Sequence, residues 1–134
     1  MKVLLDTNII LDTLLLREPH NKYSDKIFDL IGSNVITAYV NTSSITDIYF
    51  IARKKLSDAE TREKIRQILT AFQAIEVTKD DCMKALKSLM PDFEDALVTV
   101  CAEKVNIDYI VTRDDEFLKM PKAIAPDKFL EKII

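Results

Sequence analysis

Short apolar runs alternate along the chain with longer segments in which apolar positions recur with helical periodicity. The short runs predict β-strands, and the periodic segments predict helices. The predicted strands are Lys2 to Leu5, Val35 to Val40, Ile75 to Val77, Tyr109 to Val111 and Ala123 to Ile124. The predicted helices are Ile9 to Leu15, Lys22 to Ile31, Ser43 to Lys54, Asp58 to Phe72, Lys79 to Met90, Asp92 to Lys104 and Pro126 to Lys132. This alternation is typical of an α/β sheet with crossover helices.

Polar residues at the ends of these segments support their boundaries. Ser57 and Glu60 have the spacing of a capping box, and Asp92 is predicted to cap the helix that follows it. One interpretation of Asn8 is that it caps the N-terminus of the first helix. Gly32 is predicted to end the second helix in the usual position after its last turn.

The composition of the chain is that of a compact unit with its own core. With 134 residues and 48% hydrophobic content, residues 1–134 are predicted to form a single domain. No stretch approaches the roughly 20 apolar residues of a membrane helix. The apolar run at the N-terminus is too short for a signal peptide, because Asp6 interrupts it. We therefore expect no membrane association and a cytoplasmic location. Cys82 and Cys101 fall on apolar helix positions, which predicts reduced core thiols.

The charge and the rare residues exclude several classes of protein. The formal net charge of −3 makes broad nonspecific binding of nucleic acid unfavourable, so any contact with it must be local. A single histidine, His20, disfavours His-rich zinc sites and a Ser-His-Asp constellation. A single glycine excludes Gly-rich phosphate-binding loops.

Four aspartates occupy positions where an aspartate contributes little to folding. Asp6 and Asp114 directly follow apolar strand segments, so they share the carboxyl edge of the sheet if the strands are parallel. Asp47 and Asp95 flank the apolar stripes of two predicted helices, and Asp95 lies in a first turn, where the helix dipole favours an anion. A partly buried carboxylate needs a counter-charge. If the four converge, a hard divalent cation with oxygen ligands is the natural one.

The four aspartates are embedded in recognisable segments, which are Asp6-Thr7-Asn8, Thr46-Asp47-Ile48, Phe93-Glu94-Asp95-Ala96-Leu97 and Val111-Thr112-Arg113-Asp114. In this order the chain resembles the PIN-domain nucleases, including the VapC-like toxins of toxin-antitoxin pairs. The resemblance runs from Lys2 to the C-terminal helix. It implies a three-layer α/β fold, with a central parallel sheet of four to five strands flanked by helices. It also implies a Mg²⁺- or Mn²⁺-dependent endoribonuclease acting on single-stranded RNA.

The resemblance also implies roles for individual residues. The catalytic and metal-binding carboxylates would be Asp6, Asp47, Asp95 and Asp114, the last binding directly or through water. Many members have glutamate in place of Asp47, which is one methylene shorter but keeps the charge. Asn8 and Thr112 would not bind the metal themselves but would orient the metal-binding carboxylates. Arg113 is predicted to contact substrate phosphate, and the adjacent acids Asp115 and Glu116 leave the identity of the fourth ligand open.

Expected partners follow from the same resemblance. RNA would be the substrate, and a cognate antitoxin would be the partner if the chain is a toxin. The apolar content of the helices Ser43 to Lys54 and Asp58 to Phe72 is compatible with a homodimer. The alternative function is a catalytically inactive PIN-like RNA-binding or scaffold protein, against which the retained acids argue.

Overall fold

A single parallel β-sheet organises the chain in the computed structural model, which describes residues 1–133. Its strands are β1 (Lys2–Leu5), β2 (Thr37–Asn41), β3 (Gln73–Ile75), β4 (Tyr109–Val111) and β5 (Ala123–Ile124). They lie in the order β3-β2-β1-β4-β5, and every neighbouring pair is parallel. The bounds of β1, β4 and β5 are those predicted, whereas β2 and β3 are each displaced by one or two residues.

Helices cover both faces of this sheet. They are α1 (Thr7–Leu14), α2 (Asn21–Gly32), α3 (Thr42–Ala52), α4 (Asp58–Ala71), α5 (Lys79–Leu86), α6 (Phe93–Lys104) and α7 (Pro126–Ile133), and a short 3₁₀ turn spans Phe117–Lys119. None of the helices within residues 1–133 has the length and apolar content needed to cross a bilayer.

The core is divided by the sheet because neighbouring residues of a strand point to opposite faces. Val3 and Leu5 pack with residues of α1, α2, α3, α4 and α7, whereas Leu4 packs with residues of α5 and α6. The predicted three-layer α/β fold with a parallel central sheet is therefore confirmed. Both cysteines are free, and Cys101 is completely buried, as predicted for reduced core thiols.

Several predicted helix ends were wrong. The largest difference is in α5, which ends at Leu86 rather than at the predicted Met90, where the backbone N–H of Met90 donates to the Ser88 hydroxyl instead of to a helical carbonyl.

Helix α1 begins at Thr7 with Asp6 as its N-cap, so Asn8 is the second helical residue rather than the cap. Gly32 is the last residue of α2 and does not adopt a positive φ. The left-handed conformation falls instead on Asn34, with φ 58°, because asparagine tolerates this region better than most side chains.

The strand register brings the ends of β1 and β4 together. Leu5 lies opposite Val111, and the backbone N–H of Asp6 donates to the carbonyl of Val111 at 3.0 Å. Asp6 and Thr112 therefore emerge side by side at the carboxyl edge of the sheet, although 106 residues separate them in the chain. Open parallel sheets place their sites at this edge.

Candidate active site at the carboxyl edge of the sheet

Asp6 is held in one orientation by hydrogen bonds to both of its carboxylate oxygens. The backbone N–H of Thr7 donates to Oδ1 at 2.9 Å, and the hydroxyl of Thr112 donates to Oδ2 at 2.9 Å. Thr112 is itself completely buried, so this support is rigid. Burial raises the pKa of Asp6, and the negative charges of Asp114 and Asp92 raise it further against the effect of the hydrogen bonds.

Asp95 comes to the same place from the first turn of α6. Its backbone N–H donates to Oδ1 of the N-cap residue Asp92 at 3.0 Å, as predicted from the capping pattern. The pKa of Asp95 is raised to about 7, first by partial burial and then by the negative charges of Asp92, Asp6 and Asp114. Besides capping α6, Asp92 therefore adds negative charge that acts on Asp95 and on Asp6.

Asp114 reaches the site from the segment after β4. Its backbone N–H donates to the hydroxyl of Thr112 at 3.1 Å, and its Oδ1 accepts from the backbone N–H of Glu116 at 2.9 Å. Its charge contributes to the raised pKa of both Asp6 and Asp95. Thr112 thus links Asp6 and Asp114 through a single hydroxyl.

The neighbouring acids of this segment are directed elsewhere. Glu116 is exposed and forms an ion pair with Lys119 at 3.1 Å. Asp114, rather than Asp115 or Glu116, contributes to the raised pKa of the other site acids. The geometry thus favours Asp114 as the fourth carboxylate.

Asp47 lies beside Glu94 rather than directly beside Asp6. Partial burial raises the pKa of Glu94, and the charge of Asp47, a hydrogen bond that the protonated Glu94 donates to Asp47 and the charge of Asp6 raise it further. Glu94 is therefore within electrostatic reach of both Asp47 and Asp6. Sequence reasoning missed Glu94, although it lies next to Asp95 and its longer side chain is suited to meet the shorter Asp47.

Thr112 and Asn8 differ in how the structure uses them. Thr112 supports Asp6 and Asp114 directly, which agrees with the orienting role expected for it. Asn8 is exposed, and its Oδ1 accepts from Nη1 of Arg17 at 3.2 Å. Within residues 1–133 it makes no hydrogen bond to a site carboxylate, so its orienting role stays a prediction.

Arg113 is bound to a buried acid that the sequence analysis did not identify. Its Nε and Nη2 donate to the two carboxylate oxygens of Asp12 at 2.8 and 2.9 Å. Asp12 lies inside the apolar run of α1 and is only 1% exposed. Two of the five guanidinium donors of Arg113 are therefore already engaged. A phosphate contact through the remaining donors stays a prediction.

The carboxylates suit a divalent cation by chemistry but are not arranged around one point. Residues 1–133 contain no group of three or more histidine, cysteine, aspartate or glutamate side chains placed as ligands of a common ion. Neighbouring like charges oppose ionisation, and they contribute in this way to the raised pKa of Asp6 and of Asp95. The donors are all carboxylate oxygens, the type that Mg²⁺ and Mn²⁺ take. By the chemistry of its donors, the set therefore fits such an ion.

An apolar groove between α3 and α4 lies outside this acidic set. It has a volume of about 630 Å³, and its lining includes Ile45, Phe50 and Leu69, with Arg62 and Arg66 beside them. Phe50 is 66% exposed and Leu69 is 45% exposed. The two helices that were predicted to be compatible with a homodimer thus present an accessible apolar surface, and the homodimer itself stays a prediction.

Comparison with known proteins agrees with this architecture. A family model described as PIN domain matches residues 2–116 of the chain. Among curated proteins, the chain is similar to Ribonuclease VapC1 of Aquifex aeolicus (strain VF5), with 23% identity over 137 residues. The match covers 98% of this chain and 94% of that protein.

Solved structures show the same fold at low sequence identity. VapC20 of Mycobacterium tuberculosis, described as a Sarcin-Ricin loop cleaving toxin, superposes with a TM-score of 0.72 at 14% identity, covering 87% of this chain and 93% of that one. A chain of a toxin-antitoxin complex from Klebsiella pneumoniae superposes with a TM-score of 0.71 at 17% identity, covering 92% and 97%. At these identities the likeness concerns the fold alone.

Proposed function

Because the chain belongs to the PIN domain family, we propose that it is a metal-dependent endoribonuclease that hydrolyses phosphodiester bonds of single-stranded RNA. One observation carries the proposal. Asp6, Asp95 and Asp114 come from three separate elements and lie close enough to raise the pKa of Asp6 and Asp95. Strongly perturbed acids gathered at the edge of a parallel sheet are typical of functional sites.

The metal-binding residues in this proposal are Asp6, Asp47, Asp95 and Asp114. A bound Mg²⁺ or Mn²⁺ would supply neutralisation of phosphate charge and activation of the attacking water. The protein's own contribution is orientation. Thr112 fixes Asp6 and the start of the Asp114 segment, and the cap by Asp92 fixes the first turn of α6 that carries Asp95.

The proposal extends to a role as the toxin of a toxin-antitoxin pair. Its support is the likeness to a ribonuclease named VapC1 and to a chain of a toxin-antitoxin complex. The partner would be an antitoxin encoded beside this chain. Co-expression with the product of the adjacent reading frame should relieve growth inhibition and yield a complex that co-purifies. Growth inhibition that no neighbouring product relieves would contradict this extension.

The alternative is an inactive PIN-like protein that binds RNA or serves as a scaffold. Such a protein would have the same fold and the same acidic residues but would not cleave RNA. Cleavage measurements separate the two, because a scaffold would bind RNA without shortening it.

The decisive experiment follows cleavage of a labelled single-stranded RNA by the purified protein in Mn²⁺ and in EDTA. Wild type should cleave in Mn²⁺ and lose activity in EDTA. Asp6→Asn and Asp95→Asn should each reduce cleavage below detection while circular dichroism shows an intact fold. Asp92→Asn should cost much less, because Asp92 is assigned to capping rather than to the metal.

The matched control is Asp115→Asn, which makes the same chemical change one residue beyond Asp114 on an exposed side chain. It should cleave like wild type. Full activity of both Asp6→Asn and Asp95→Asn, or undiminished wild-type activity in EDTA, would refute the metal-nuclease proposal. A loss in Asp92→Asn equal to that in Asp95→Asn would show that Asp92 has a direct role.

A further inference from the structure

Two arginines share one buried carboxylate next to the candidate active site. Asp12 is 1% exposed and accepts two hydrogen bonds from Arg113, and Nη1 of Arg17 lies 3.6 Å from its Oδ1. One arginine already neutralises Asp12, so the three groups together carry a net positive charge. A second arginine at the same acid is not needed to compensate the buried charge.

Both guanidinium groups contact residues of α1, the helix that begins directly after Asp6. Arg113 lies between Thr112 and Asp114 in sequence, and the charge of Asp6 contributes to its raised pKa after the larger effect of Asp12. Arg17 follows the far end of α1, yet its Nη1 reaches back to Oδ1 of Asn8 at 3.2 Å, two residues from Asp6. Asn8 and Asp12 share one face of α1 because they are four residues apart.

Each arginine retains donors that could meet a ligand. A guanidinium carries five N–H donors in a planar fork. Arg113 engages Nε and Nη2, and Arg17 engages Nη1. The side chains of Arg113 and Arg17 are 31% and 26% exposed. A partly exposed guanidinium that is already fixed by a carboxylate loses little further freedom when it binds an oxyanion.

We propose that Arg17 and Arg113, positioned by Asp12, form a binding site for a phosphate of the RNA chain beside the acidic residues. This inference rests on the proposed function for the identity of the ligand. An RNA strand approaching four aspartates is repelled, and a fixed positive pair next to them offsets that repulsion. Asp12 is a positioning residue, because it acts through the arginines and not on the RNA.

The first test measures binding of a short labelled single-stranded RNA to the full chain in EDTA and low salt. Arg17→Gln should weaken binding about tenfold, the typical effect of losing one charge-assisted hydrogen bond. It should also lower the slope of log K against log salt by about 0.7. The matched control is Arg62→Gln, which removes an arginine paired to Asp58 on α4, and it should bind like wild type. Equal binding by Arg17→Gln and wild type, or equal losses in Arg17→Gln and Arg62→Gln, would overturn the inference.

A second arm identifies the group that is bound. Single-stranded DNA of the same sequence carries the same phosphates without 2′-hydroxyls, so Arg17→Gln should weaken its binding to the same extent. A loss seen with RNA alone would assign Arg17 to a 2′-hydroxyl and contradict the phosphate assignment.

The third arm tests the positioning role with steady-state cleavage in Mn²⁺. Asp12→Asn makes its surroundings more positive, so charge alone predicts equal or tighter binding and unchanged turnover. Loss of positioning predicts instead that kcat falls about tenfold. Asp81→Asn is the control, since Asp81 is also buried and pairs with Lys104 at 2.6 Å between α5 and α6. Both variants are assayed below their melting transitions, and a kcat in Asp12→Asn no lower than in Asp81→Asn would overturn the positioning role.

The outcomes separate this inference from the proposed function. If Asp12→Asn does not fold, Arg17→Gln decides, because it leaves the Asp12 to Arg113 pair intact. If wild type cleaves RNA but Arg17→Gln retains the wild-type KM and affinity, the inference fails and the proposed function stands. If wild type does not cleave but Arg17→Gln still loses affinity, the nuclease proposal fails and the phosphate site stands.

Discussion

Replacing Asp95 by asparagine should stabilise the metal-free protein, although the substitution removes a residue assigned to the active site. Partial burial is the largest cause that raises the pKa of Asp95 from 3.8 to about 7, and the charges of Asp92, Asp6 and Asp114 add to the rise. Each of these charges opposes ionisation of Asp95. Asparagine keeps the shape of the side chain and removes the repulsion.

The size of the effect follows from the raised pKa. Without screening, a rise from 3.8 to about 7 corresponds to about 4 kcal/mol at neutral pH. Because the side chain is partly exposed, solvent screening reduces this to roughly 1.5 kcal/mol. The helix dipole favours a carboxylate in this turn by about 0.5 kcal/mol, which opposes the gain. The net gain is on the order of 1 kcal/mol, or roughly 3 to 5 °C in melting temperature.

The gain should depend on pH in a defined direction. The folded pKa lies above the unfolded one, so between pH 3.8 and about 7 the folded wild type holds a proton that the unfolded chain releases. Wild type therefore loses stability relative to the variant as pH rises through this window. The difference in melting temperature should be near zero at about pH 4 and largest above about pH 7.

Thermal melts of both proteins by circular dichroism, in EDTA and in Mn²⁺, test this reasoning. In EDTA the variant should melt higher. Metal binding should stabilise wild type by about 1.4 kcal/mol at ten times Kd, whereas the variant should gain little. In Mn²⁺ the wild type should therefore melt at the same temperature as the variant or higher. Asp115→Asn should follow wild type in both conditions. A variant that melts lower than wild type in EDTA at about pH 8, or a difference that does not change with pH, would refute the assigned repulsion.

Two further predictions concern the thiols and the arginine at the site. Burial raises the pKa of the Cys101 thiol to about 11. An aromatic disulfide reagent at neutral pH should therefore label Cys82 readily and Cys101 only after denaturation. Rapid labelling of both thiols in the folded protein would contradict the burial of Cys101. Arg113→Ala should weaken RNA binding more than Lys55→Ala does. It should also lower the melting temperature, because Asp12 loses its bidentate partner. Unchanged stability in the same thermal melts would mean that Arg17 alone compensates the charge of Asp12.

Much of the fold could be predicted from the sequence because its signals are local. The strands β1, β4 and β5 coincide with short apolar runs, and their predicted bounds were correct. Ser57 and Asp92 cap the helices that follow them, as predicted, and their side chains accept from the backbone N–H groups of Glu60 and Asp95. These signals depend on side chains within one turn or one strand, so they are readable before any long-range contact forms.

The same local reading failed where burial depends on neighbouring elements. Phe93 has the spacing of the apolar stripe of α6, yet it is 46% exposed at the first residue of that helix. Periodicity identifies the face of a helix that is apolar, but only the packing of other elements decides how far along the helix that face is covered.

The candidate site divides in the same way. The sequence by itself identified Asp6, Asp95 and Asp114 as unusual positions, because an acid after a strand or beside an apolar stripe is locally visible. It could not reveal that Arg113 pairs with Asp12 across 101 residues, or that the charges of Asp47 and Asp6 both act on Glu94. Electrostatic interactions depend on distance and burial in space. Only the tertiary structure, through the register of parallel strands and the packing of α1 and α6, sets those distances.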